Sequence, residues 1–146
     1  MDPLSHLERQ IHEAIVFINS EALDIIGTEA VNHFKESFQK EGFDGHQWQE
    51  VKRRQDPRVR GARSTRKILS GDTNELGDSI TYEKEPRQVI ISSDKEYAEA
   101  QNEGTSNAGR GHNVTIPARP FIAPSIVLDA TIHREITQGF DRIFGK

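Results

Sequence analysis

Six histidines are the first residues in this chain that could carry chemistry, as metal ligands or proton carriers. His12-Glu13 opens like the helical zinc-protease pattern, in which two His four residues apart face one ion, but position 16 is Val. His6 and His12 do not share a helix face. His33 and Glu36 do, yet two ligands do not complete a site. Gly104 to Gly111, ending in Gly109-Arg110-Gly111, has the outline of a phosphate-binding loop. It lacks the Lys and the Ser/Thr, and a strand and a proline follow where a helix N-terminus would converge N–H groups on an anion. It reads as a loop that orders on assembly. Cys is absent, which excludes disulfides and thiolate chemistry, and there is no Gly-x-Ser-x-Gly elbow. Acidic pairs such as Glu83 with Glu85, or Glu96 with Glu99, fall on expected solvent faces. No catalytic, metal or cofactor site is assigned, and the chain reads as a non-enzyme.

What remains is recognition. Residues 52–67 hold Lys52, Arg53, Arg54, Arg58, Arg60, Arg63, Arg66 and Lys67 against Asp56 alone, a balance of +7 in a chain of net charge −4. The rest of the chain therefore carries −11, the largest charge asymmetry in the sequence. The segment has no apolar period and contains Pro57 and Gly61, so an extended basic loop is expected. Three readings stay open: contact with DNA phosphates, which is indifferent to sequence; contact with acidic patches on neighbouring subunits; or plain solvation. Aromatic residues do not interleave the run, as single-strand binders require.

A second candidate is Val114-Thr-Ile-Pro-Ala-Arg-Pro-Phe-Ile-Ala-Pro124. Pro117, Pro120 and Pro124 fix their own φ and bias the residues before them towards extended backbone. The expectation is a rigid arm over residues 115–124 that leaves the sheet. Arg119 on it forms either an internal ion pair or a fixed interface contact with Phe121 as apolar anchor.

The elements that must position these segments follow from periodicity. Asp2-Pro3 is a helix start, a capping acid before proline at the first helical position. Leu4, Leu7, Ile11, Ala14, Ile18 and Ala22 recur at three and four, and Leu23, Ile26, Ala30, Phe34 and Phe38 continue the pattern to Gly42. Two helices, or one bent at Gly27, are expected between residues 3 and 41. Their face packs on the domain's own sheet or forms a coiled-coil contact with a neighbour. Phe43 to Trp48 is a turn whose two aromatics plug one end of the core. Capping boxes are read at Asp72-Thr-Asn-Glu75 and at Ser93-x-x-Glu96. Strands are expected at 79–83 and 88–92, as a hairpin around Lys84–Arg87, with a third around 113–116. A last helix, capped by Ser125 or Asp129, carries Leu128, Ile132, Ile136, Phe140 and Ile143. The fold class is α+β: a small, mostly antiparallel sheet of three or more strands packed by long N-terminal helices and a C-terminal helix, in a single domain over 1–146.

At 146 residues the chain suits one domain with a modest core, and 34% hydrophobic against 29% charged residues suits much exposed surface. No apolar run approaches the roughly 20 residues that span a bilayer. The N-terminus lacks a signal peptide's basic start and apolar block. A soluble protein made in the cytoplasm, with no membrane partner, is expected.

Val89-Ile-Ile-Ser-Ser-Asp-Lys-Glu-Tyr-Ala98, then Gln101 and Gly104, then Ile116-Pro-Ala-Arg-Pro-Phe121, resemble the virion-morphogenesis (tail-completion) proteins of Mu-like tailed phages. Phe43-Asp-Gly-His-Gln-Trp48 and Ile68-Leu69 with Thr73, Leu76 and Ser79-Ile80 extend the likeness over roughly residues 30 to 125. The pattern implies Gly after the Thr, where this chain has Asn74. The resemblance implies a structural virion protein assembled in the host bacterial cytoplasm. It would act as tail completion or terminator protein at the head-proximal end of the tail or the neck, forming a hexameric ring that caps the tube. Partners would be copies of itself, tail tube or sheath proteins, neck or connector proteins, and passing DNA. Candidate interface residues are Arg53, Arg54, Arg58, Arg60, Arg63, Arg119 and Phe121. The alternative is a nucleic-acid-binding protein that uses residues 52–67.

Overall fold

A computed structural model describes residues 2–145. Helix α1, Pro3–Asn19, starts as the sequence dictates: the Asp2 carboxylate accepts from the Ser5 N–H at 2.9 Å, and proline follows the cap. The chain breaks at Ser20, and α2 runs Glu21–Lys40. Gly27 is therefore not a kink. It sits inside α2 because the Tyr82 ring lies against it, and a Cβ there would come within 2.3 Å of that ring.

The elements between α2 and the last helix are short. β1 (Gly42–Phe43) and β2 (His46–Gln47) form a tight hairpin, and two 3₁₀ turns, Lys52–Arg54 and Gly61–Ser64, shape the basic segment. α3 is Glu75–Asp78, β3 Thr81–Glu85, β4 Gln88–Ser92, α4 Ala98–Glu103, β5 Thr105–Ala108, β6 Val114–Ile116 and α5 Ile126–Phe144. The class is α+β, with its strand pairing taken up by three two-stranded ladders, β1-β2, β3-β4 and β5-β6.

Three local expectations are corrected. Neither capping box forms. α3 begins after Asn74, whose side chain makes no cap bond, while Asp72 pairs with Arg66. Ser93 hydrogen-bonds the Ser79 hydroxyl at 2.6 Å and accepts from the Lys95 N–H, so α4 starts later, after Tyr97. In both places the side chain spaced to cap the helix is taken by another side chain, Arg66 for Asp72 and Ser79 for Ser93. The Gly104–Gly111 loop contains β5, which pairs antiparallel with β6.

Asn74 has φ +58, a left-handed conformation that favours Gly and that Asn tolerates best among the others. Asn where the resemblance implies Gly is therefore conformationally conservative. Gly104 is more constrained: φ is +78, and a Cβ would stand 2.8 Å from the Ala118 backbone nitrogen.

Two compact units result. One comprises Met1–Val31, Tyr82–Ile91 and Ser125–Lys146. Within it α1 packs on α5 through Phe17, which meets Phe140 edge-on at 5.4 Å and lies over Gly139. Ser125 caps α5 by accepting from the Leu128 N–H. Of the expected stripe from Leu4 to Ala22, Ala14 and Ala22 are buried but the larger members are not. Ala14 and Phe17 are buried, while Leu4, Leu7, Ile11, Ile15 and Ile18 are each 44–65% exposed. Apolar residues occupy most of the circumference of α1 between 11 and 18, so repeat counting could not choose the buried side.

The other unit comprises Asn32–Thr81 and Ser92–Pro124. Its core gathers Phe34, Phe38, Phe43, Trp48, Ile68, Leu76, Ile80 and Phe121, all buried. Phe38 is central, with Trp48 edge-on at 5.5 Å and Phe121 tilted at 5.1 Å. Trp48 is thus part of the core rather than a plug at its end.

Candidate interaction surface

The basic segment is pinned, not extended. Arg53 reaches across it, donating to the carbonyls of Arg63 at 2.6 Å and Lys67 at 2.9 Å. Arg54 binds Glu50 through Nε and Nη2 and Glu41 through Nη1 at 2.8 Å. Glu41 also accepts from the Ile68 N–H at 2.7 Å, so one half-buried carboxylate ties both ends of the segment to the unit. Arg58 pairs with Asp56, and Lys67 donates to the Gln39 carbonyl. The guanidiniums hold Glu50 and Asp56 below the ordinary carboxylate range. Among the described residues, Lys52, Arg60 and Arg63 are the exposed cations of this run whose side chains meet no carboxylate or carbonyl.

The segment 115–124 does not reach away from its unit. Phe121 is 1% exposed and Arg119 7%. The Trp48 indole donates to the Pro120 carbonyl at 2.8 Å. Asn102 clasps the turn: its Oδ1 accepts from the N–H groups of Phe121 and Ile122, and its Nδ2 donates to the Ile122 carbonyl. Sequence reading missed Asn102 because no motif surrounds it. Its role exists only once α4 lies beside the proline segment.

Of the expected interface residues, the fold brings Arg53 and Arg119 together. With Gln49, Val51, Lys52, Thr115 and Pro117 they line a cavity of about 500 Å³. Arg119 donates through Nε to the Gln49 carbonyl at 3.0 Å, and its backbone N–H donates to the Gln101 carbonyl. Burial pulls its pKa down, opposed by the Glu50 charge. Arg53 is lowered too, first by desolvation and then by neighbouring Arg66, Arg54 and Arg63. Arg54 and Arg58 are instead spent on carboxylates, and Arg60 and Arg63 stay on the surface.

His33 meets Asp44 at 2.7 Å and packs edge-on against Phe34 and Phe43, which gives it a structural setting. Among the described residues no three His, Cys, Asp or Glu are grouped to hold a metal ion. No helix is long and apolar enough to cross a membrane.

The sequence model of the phage virion morphogenesis family matches residues 12–138, which include both pinned segments and the cavity. The chain belongs to that family. It is also 38% identical over 69 residues to Mu-like prophage FluMu G protein 2 of Haemophilus influenzae. That match spans 47% of this chain and 49% of the relative, so about half the length of the curated relative is covered. No solved structure matches. Membership of the virion morphogenesis family gives the chain a structural phage virion role.

Proposed function

We propose that this virion morphogenesis protein completes the tail. Copies close into a hexameric ring at the head-proximal end of the tail or the neck, cap the tube and offer the surface on which the head is joined. Tube or sheath proteins lie on one side and neck or connector proteins on the other. A closed ring uses head-to-tail contacts between unlike patches. The observation that carries the reading is the uncovered face of α1, where Leu4, Leu7, Ile11, Ile15 and Ile18 are exposed in one helix. A contiguous apolar surface of this kind marks a protein contact. Leu4, Ile11 and Ile18 recur at seven, the spacing of a helix seam against another chain.

The test is native mass. The wild-type chain is expected to run as a ring, and Leu7→Glu with Ile11→Glu as a folded single subunit with unchanged helical circular dichroism. A wild-type protein that stays a single subunit at high concentration overturns the reading. DNA contact through exposed Lys52, Arg60 and Arg63 is the second reading. Retention of duplex DNA by isolated subunits, with a steep salt dependence, would favour it.

A further inference from the structure

The cavity beside Arg119 contains a guanidinium most of whose donors are not engaged by the protein. Arg119 is more than nine-tenths buried, yet of the five N–H donors of a guanidinium only the Nε one is engaged, by the neutral Gln49 carbonyl. No carboxylate pairs with it among the described residues. The Nη atoms are not among the fully buried side-chain atoms without a partner, so the free donors open onto the cavity, where water is their present partner. Lys52 and Arg53 line the same space, while Val51 and Pro117 give it apolar walls. Arg53 is held in place by its bonds to the Arg63 and Lys67 carbonyls. An incoming carboxylate would favour the charged form of Arg119 against the burial that lowers its pKa, as the Glu50 charge already does.

The geometry points to this cavity as a receptor for an aspartate or glutamate side chain of a neighbouring protein in the virion, with Arg119 as its buried counter-charge and Lys52 at its rim. This rests on the reading that the chain works by protein contact. A carboxylate on a short apolar stem suits a recess with mixed walls, and a planar guanidinium accepts it through two parallel bonds. Duplex DNA fits less well. Its affinity comes from many phosphate contacts at once, and five of the eight cations of the adjoining segment are already engaged by Glu41, Glu50, Asp56, Asp72 and main-chain carbonyls. Acidic side chains are plentiful in a second copy, since the chain outside 52–67 carries −11.

The test is NMR titration of the isotope-labelled full chain with acetyl-glutamate amide, whose side chain is its sole charge. Saturable shifts are expected at the Arg119 Nε–H and at the amides of Val51, Arg53 and Thr115, with acetyl-glutamine amide causing none. Lys52→Glu should weaken the probe about two- to fivefold, as for an exposed ion pair, and Arg119→Lys about tenfold, as for loss of a bidentate pair. Should Arg119→Lys fail to fold, Lys52→Glu, exposed and outside the core, decides alone. Arg60→Glu, which does not line the cavity, should change nothing. Absence of saturable shifts overturns the proposal, as does equal weakening by Arg60→Glu, or tighter binding of a short DNA duplex at the same resonances. Adding unlabelled protein identifies the donor: shifts at these resonances assign it to a second copy, and their absence, with the probe still binding, assigns it to another virion protein. Both results support the site. A single subunit by native mass that still binds the probe removes the ring and keeps the cavity, and a ring that ignores the probe does the reverse.

Discussion

The basic segment 52–67 and the proline segment 115–124 look alike as sequence, two limbs lacking helical or strand periodicity and carrying cations. The fold treats them differently. The proline segment delivers Phe121 into the core beside Phe38, and Arg119 is buried with it. The basic segment stays on the surface, held by Glu41, Glu50 and Asp56 and by carbonyls. One large apolar side chain accounts for the difference. Burying a phenylalanine is worth about 2–3 kcal/mol, enough to draw a stiff ten-residue stretch inward. A run of arginines without an apolar anchor gains nothing from burial and is restrained by charge instead.

Replacing the anchor should have the largest effect. Phe121→Ala is expected to destabilise the protein by about 3–5 kcal/mol, read as a lower denaturation midpoint, and an unchanged midpoint would remove the anchor from the account. Asn102→Ala leaves two backbone donors and one acceptor of the same turn without their partner, and should cost about 1–3 kcal/mol. On the basic side, Glu41→Gln keeps an acceptor for the Ile68 N–H but loses the charge facing Arg54, and about 1 kcal/mol is expected. Loss as large as that of Phe121→Ala would erase the distinction between the two segments.

The smallest effect is on pH. Glu50 and Asp56 have folded pKa values below their unfolded ones, Glu50 through its bonds from Arg54 and Asp56 through those from Arg58. Their contribution is therefore fully present above the unfolded carboxylate pKa, about 4, and fades as pH falls through the lower folded values. Amide protection factors at Val51 and Arg58, whose N–H groups donate to these carboxylates, should fall in acid before the protection of Phe121 does. A simultaneous fall would show that the two segments open together.

Legibility in the sequence followed the range of the interaction. The cap at Asp2, the Phe34–Phe38 stripe, the turn within 43–48, the hairpin around 86–87 and the α5 start at Ser125 were readable, because each depends on neighbours within a few positions. The charge of 52–67 was readable, but not its restraint, since Glu41 precedes the segment and nothing in the spacing marks it as the tether. Ser93 and Asp72 had the right spacing for helix caps and were diverted by Ser79 and Arg66.

By itself, then, the sequence determined the helices, the turn-bounded strands, the family pattern and the separation of charge, all of which are local or additive properties of the chain. Only the tertiary structure decided which side of α1 stays uncovered, that the proline segment folds inward, and that Arg53 and Arg119 share one cavity. Those outcomes depend on which distant surfaces meet. A residue some seventy positions away, as Gln49 is from Arg119, leaves no periodic trace in the chain it will eventually touch.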